Sequence, residues 1–152
     1  MPYRILFLCT GNSARSQMAE ALLLLIGGQD FLAKSAGTHP AGLNPATVEA
    51  LREIGVDWKG RQSKSVNEFV GQSFDYVITV CDRAQENCPT LPGSHKLLHW
   101  SFDDPAAAHP ERRSEEFRRI RDEIAGRVRG FLIDELKLVP AAPLRTTPKQ
   151  PA

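Results

Sequence analysis

The sequence predicts an α/β fold, a parallel sheet of about four strands with helices on both faces, built in one domain. Three observations predict it. Short apolar or β-branched runs alternate with segments of helical periodicity along the chain. Glycine and proline mark the borders between them. The runs carry the near-continuous hydrophobicity of strands buried on both faces rather than a strict alternation.

Residues 4–8 (Arg4, Ile5, Leu6, Phe7, Leu8) read as a buried strand, too short for a helix. Residues 16–26 read as a helix, with Met18, Ala21, Leu22 and Leu25 at helical spacing and Gly27-Gly28 as its stop. Residues 31–36 form a second strand closed by Gly37. Asn44-Pro45 is a helix start, with Asn as the cap and Pro at the first helical position. Val48, Leu51 and Ile54 then share a face, and Gly55 ends it. Residues 66–71 suit a short helix. Residues 76–80 (Tyr76, Val77, Ile78, Thr79, Val80) are the plainest strand, and residues 96–100 the last. Phe117, Ile120, Ile124, Val128, Phe131 and Leu132 mark one long amphipathic helix over residues 111–136. Residues 1–138 thus form a single domain. Residues 139–152 hold four prolines without apolar periodicity and read as a disordered appendage.

The chain has 152 residues, a net charge of +1 and 41% hydrophobic residues, ordinary for a globular protein able to bury a sizeable core. Its charge balance argues against a general nucleic-acid or membrane-surface binder. No apolar run approaches a membrane span, and the chain enters a strand almost at once, which argues against a secretory leader. A cytoplasmic location is the expectation. Three cysteines fit that compartment as reactive or buried thiols rather than a disulfide framework.

The stretch Cys9-Thr10-Gly11-Asn12-Ser13-Ala14-Arg15-Ser16 carries the chemistry. A thiol ends a buried strand, a tight loop follows, and a guanidinium opens a helix. In parallel sheets ligands bind outside the carboxyl ends of the strands. Loop N–H groups, a helix N-terminus and Arg15 suit a tetrahedral oxyanion held over the sulfur. The same donors favour a thiolate, and a downward shift of about two units would be worth roughly 2.7 kcal/mol. Gly11 and Asn12 tolerate the positive φ such a loop needs. Ser13 or Ser16 is placed to donate a hydroxyl to Cys9. Cys81 also follows a strand and is expected at the same sheet edge.

Cys9, Arg15 and Ser16, spaced as they are after an N-terminal strand, resemble the low-molecular-weight protein tyrosine phosphatase family. The longer run over residues 6–20 is similar to its thioredoxin-coupled arsenate reductases, and Ser35-Ala36-Gly37 matches the family's second strand. The resemblance covers about residues 3–136. It implies a nucleophilic Cys9, an oxyanion loop of residues Thr10, Gly11, Asn12, Ser13, Ala14 and Arg15, and a general acid at the aspartate before proline, Asp104. Asp-Asp-Pro is also turn chemistry, and Asp103 is expected to cap or hydrogen-bond locally. Protonating the departing oxygen of an oxyanion suits such an acid.

Cys81 and Cys88 match the reductases' resolving pair. Incidental thiols and half a zinc site are the competing readings; structural zinc ligands come as closely spaced pairs and no second pair exists, so no metal is expected. A disulfide needs Cα atoms about 4.4–6.8 Å apart. Seven helical steps separate them by roughly 10 Å, and seven strand steps by over about 20 Å. The segment between them must therefore curl when they join. The resemblance implies arsenate reduction through a Cys9–Cys81–Cys88 relay, with thioredoxin as external reductant and no bound cofactor. The alternative is a phosphatase hydrolysing phosphate monoesters through a Cys9 phosphocysteine. A non-catalytic oxyanion sensor is disfavoured by the joint presence of Cys9, Arg15 and Asp104. Ala106-Ala107-Ala108 stands where many of the phosphatases carry tyrosines, which argues against an aryl-phosphate pocket. Some relatives bind potassium beside the loop. Asn12, Glu20 and Ser35 match that site, but Lys64 falls at or near its acidic position, which argues against a potassium site; either the lysine's own charge replaces the cation or the side chain is simply solvated.

Overall fold

The computed structural model describes residues 2–81 and 95–138. Strands β1 (Tyr3–Cys9), β2 (Phe31–Gly37), β3 (Tyr76–Thr79) and β4 (Lys96–His99) pair in parallel in the order β2-β1-β3-β4. Helices α1 (Arg15–Gly27), α2 (Pro45–Arg52) and α3 (Arg113–Gly130) connect and cover them. The expected fold class holds, and strand ends fall within one or two residues of expectation. Cys88 and the proline-rich tail lie outside the described residues.

β1 is central, so both its faces must be covered. Ile5, Leu6, Phe7 and Leu8 are all fully buried, which is why the run is continuously apolar. β2 is an edge, and there Leu32 and Lys34 are exposed while Phe31, Ala33 and Ser35 are buried. α1 lies against β1, β2 and α3. Nine of its thirteen residues are buried, so it is a core helix rather than one with a narrow apolar stripe. Leu25, expected on the stripe, is exposed; Leu23 and Ile26 are buried instead.

The last helix is not uniform as expected. A single 3-10 turn at Pro110–Arg112 precedes α3, and the chain widens into a π turn at Phe131–Glu135. The wide turn keeps Phe131 edge-on to Tyr76, with ring centroids 5.1 Å apart, and against Trp100 at 5.8 Å. It also brings Glu135 to the Tyr76 hydroxyl at 3.2 Å and to Lys96.

The strand order fixes where a site can form. The chain leaves β1 toward β2, then crosses back over β1 to reach β3. A crevice opens where the direction reverses, outside the carboxyl ends of β1 and β3. Cys9 ends β1, and Cys81 follows β3 by two residues.

α2 is fastened to α3 by Arg121, a buried arginine whose Nη1 donates to the Ala50 carbonyl at 2.9 Å and pairs with Glu53 at 3.0 Å. Arg121→Ala leaves the Ala50 carbonyl without this donor and Glu53 with Arg118, 3.1 Å away, as its remaining partner on α3 among the described residues. It is expected to cost about 2–3 kcal/mol in urea unfolding; a loss under about 0.5 kcal/mol would contradict this role.

Candidate active site

The loop from Cys9 to Ala14 has its carbonyls turned outward, and each meets a donor. Cys9 O accepts from Thr38 N at 3.1 Å, Thr10 O from His39 N at 2.8 Å, and Gly11 O from Ala41 N at 2.9 Å. Asn12 O accepts from the Ser63 hydroxyl at 2.7 Å and from Gln17 Nε2 at 3.1 Å. Ser13 O accepts from Asn44 N at 3.1 Å and from the Thr47 hydroxyl at 2.7 Å. In a trans peptide the following N–H points the opposite way, and no peptide bond here is cis. The amides of Gly11, Asn12, Ser13 and Ala14, which follow the carbonyls of Thr10, Gly11, Asn12 and Ser13, therefore turn inward. The Asn12 N–H donates to Cys9 Sγ at 3.2 Å. The result is a concave set of N–H groups at the start of α1, suited to an anion.

Asn12 alone in this loop takes a positive φ, 49°. Gly11 does not, so the expectation for that residue is corrected: its lack of a side chain serves the tight loop without a left-handed turn. A glycine that sequence reading left as a mere strand end matters more. A Cβ on Gly37 would lie 2.5 Å from Thr10 O and 2.9 Å from Asn12 N, inside the loop's own backbone.

Ser16, not Ser13, is the hydroxyl on the nucleophile, with its Oγ 2.8 Å from Cys9 Sγ. Burial pushes the Cys9 thiol up from its ordinary value. That outweighs the Ser16 hydroxyl, the Ser16 N–H and the Asn12 N–H, which lower it; the neighbouring Cys81 adds to the rise. The expected lowering is thus overturned. It counted the donors but not the desolvation of a sulfur under a closed loop. Arg15 lines the same cleft as the sulfur, where its Nη1 donates to the Phe102 carbonyl at 2.9 Å and its Nη2 lies 3.9 Å from Asp104 Oδ2.

Asp104 combines the two readings of its sequence. Its Oδ1 accepts from Ala106 N at 3.0 Å and caps the turn Pro105–Ala107, while its carboxylate borders the cleft. The expected local cap, Asp103, instead reaches Arg119 of α3 at 3.2 Å. The cleft holds about 470 Å³ and is lined by loop residues, Arg15, Asp104, Ala106 and both Cys9 and Cys81. Cys81 is buried, with its sulfur 3.4 Å from the Thr10 hydroxyl. Two thiols, four inward amides, a guanidinium and a carboxylate thus converge on one crevice.

Behind the loop, Glu20 is 3% exposed and accepts from the Ser35 hydroxyl at 2.6 Å. Arg61 stands 3.5 Å from it and Lys64 Nζ 4.0 Å. Lys64 is pulled below its ordinary range by partial burial, against the opposing effect of Glu20. Its backbone N–H donates to Asn12 Oδ1 at 2.8 Å. The Lys64 ammonium donates to the Gln62 carbonyl at 3.2 Å.

The chain belongs to the low molecular weight phosphotyrosine protein phosphatase family, whose model matches residues 4–140. It is 43% identical over 129 residues to an arsenate reductase of Halalkalibacterium halodurans, covering 84% of this chain and 93% of that one. Its fold is similar to an arsenate reductase in oxidized state, with a TM-score of 0.72, 27% identity and coverage of 83% and 93%. It is also similar to the thioredoxin-dependent arsenate reductase of Corynebacterium glutamicum, with a TM-score of 0.66, 34% identity and coverage of 84% of this chain and 59% of that one. Among the described residues no helix is long and apolar enough to cross a membrane.

Three expectations follow. Gly37→Ala drives a methyl group into Thr10 O, and phosphate affinity by calorimetry should fall at least about tenfold; unchanged affinity would contradict the close approach. Cys9 alkylation by iodoacetamide should rise with pH around a midpoint above the free-thiol value of about 8.5, and Ser16→Ala should move that midpoint further up. The sign for stability is the same: the fold favours the protonated thiol, so stability is full below the unfolded value and falls as pH climbs through the folded one. Lys64→Met removes a cation from Glu20, so potassium chloride should raise the melting temperature of that variant and leave the wild type's nearly unchanged.

Proposed function

We propose that the protein reduces arsenate to arsenite through a relay of Cys9, Cys81 and Cys88, regenerated by thioredoxin. The observation that carries this reading is the second thiol: Cys81 lies in the same cleft as Cys9, beside the oxyanion loop. Hydrolysis needs only one sulfur there. The similarity to arsenate reductases supports the same choice.

The inward amides and Arg15 hold the arsenate oxygens while Cys9 sulfur attacks arsenic. An S–As bond forms as an As–O bond breaks. The oxygen leaves as water, protonated by Asp104, which recovers the proton given up by the thiol. Cys81 thiolate then attacks Cys9 sulfur. An S–S bond forms, the S–As bond breaks, and its electron pair stays on arsenic, which departs as arsenite. Cys88 attacks Cys81, expelling the Cys9 thiolate and leaving a Cys81–Cys88 disulfide. Two thiols have supplied the two electrons, and a thioredoxin dithiol restores them. Phosphate fits the same amides, so a Cys9 phosphocysteine hydrolysed by water is the second reading, favoured by the family's description.

With arsenate, thioredoxin, thioredoxin reductase and NADPH, the wild type should consume NADPH continuously, while Cys88→Ser stops after one turnover. Equal turnover in both, or none in the wild type, would overturn the relay. Cys81→Ser should abolish reduction and spare hydrolysis of an aryl phosphate.

A further inference from the structure

A buried line of hydrogen bonds runs from Trp58 to the nucleophile, and its direction can be read from its ends. Trp58 Nε1 lies 2.8 Å from Gln17 Oε1. An indole nitrogen only donates, so the Gln17 carbonyl faces Trp58 and its amide nitrogen faces the loop. Gln17 Nε2 then donates to Asn12 Oδ1 at 3.0 Å and also serves the carbonyls of Asn12 and Gln62. A second donor-only group sets Asn12 independently, since the Lys64 backbone N–H also donates to Asn12 Oδ1. With its oxygen held twice, Asn12 must turn Nδ2 to Ser16 Oγ, 2.8 Å away. Ser16 Oγ accepts there, so its own proton is directed along the remaining contact, to Cys9 Sγ.

We infer that Trp58 and Gln17 are positioning residues for Cys9: donor-only Trp58 starts a one-way line through Gln17, Asn12 and Ser16 that aims a hydroxyl proton at the sulfur and favours its ionised form. All four linking side chains are buried, so water does not compete for their donors. Trp58 is itself clamped. Arg61 stacks on its ring at 3.9 Å and pairs with Glu20, so the indole cannot turn away without disturbing that pair. The inference rests on Cys9 as nucleophile, not on the choice of arsenate as substrate.

The test reads Cys9 directly. In a Cys81→Ser, Cys88→Ser background the iodoacetamide alkylation rate is followed against pH for Trp58→Phe, which keeps the ring and loses the N–H. The midpoint should rise by about half to one pH unit. Adding Ser16→Ala should give no more shift than Ser16→Ala alone, because the line is then cut at its last link. In the chain with all its cysteines, arsenate turnover of Trp58→Phe should fall roughly tenfold with KM less affected. Gln17→Met serves as the second variant, and circular dichroism establishes that both are folded. The wild type supplies a reading that needs no variant. The Trp58 indole N–H resonance should move with the Cys9 midpoint, while that of Trp100 stays still. An unchanged alkylation midpoint in folded variants, additive shifts, or an indole resonance indifferent to Cys9 would overturn the inference. Absent arsenate turnover with a shifted midpoint would overturn the substrate assignment and leave the line intact.

Discussion

The site depends on one constraint: each of the four carbonyls from Thr10 to Ser13 is turned away from the crevice and held there by a donor from elsewhere in the chain. Peptide planarity converts that into inward N–H groups. Without those outer donors the loop would have no reason to present four amides to an anion, since a short loop of small residues has many other conformations. Strap residues His39 and Ala41, the α2 cap Asn44 and the Ser63 hydroxyl are thus as necessary to the anion site as the loop itself. Gly37 belongs to the same constraint because the strap can close over the loop only where no Cβ intervenes.

The sheet explains why two thiols meet. β1 and β3 are adjacent and parallel, and the connections leave them in opposite directions. Cys9 and Cys81, 72 residues apart in sequence, therefore open into the crevice between the same two strand ends. β4 delivers the third component: beyond it, Phe102 receives Arg15 and Asp104 borders the cleft. Nucleophile, second thiol and carboxylate thus come from the carboxyl ends of three successive parallel strands, where the doubly wound architecture gathers polar groups.

Much of this was legible in the sequence. The continuous apolar run before Cys9 announced a central strand, and Asn44-Pro45 announced the start of α2 with its Asn cap in place. The loop, Arg15, Ser16, Cys81 and Asp104 were each found, and each borders the cleft or the sulfur. What was missed depends on contacts between distant residues. Ser63 reaches Asn12 across 51 positions, and Trp58 reaches Gln17 across 41. No local pattern encodes such a pair before the chain has folded. The raised Cys9 thiol was missed for a related reason. Donors near a cysteine can be counted along a sequence, whereas desolvation follows from how completely the loop, α1 and neighbouring strands enclose it. The π turn after α3 answers to ring contacts with Tyr76 and Trp100, again invisible to helical periodicity.

Cys9 and Cys81 differ in what their surroundings ask of them. Among the described residues the Cys9 sulfur meets the Ser16 hydroxyl, the Ser16 N–H and the Asn12 N–H, and the Cys81 sulfur meets the Thr10 hydroxyl. That difference suits a first sulfur built to bind and attack, and a second built to leave its resting contact. The relay is tested most directly by mapping disulfides by mass spectrometry after one turnover with arsenate and no external reductant. The account predicts one equivalent of arsenite, a Cys81–Cys88 disulfide and a free Cys9 thiol. All three cysteines still reduced after arsenate has been offered, or Cys9 held in the final disulfide, would contradict it.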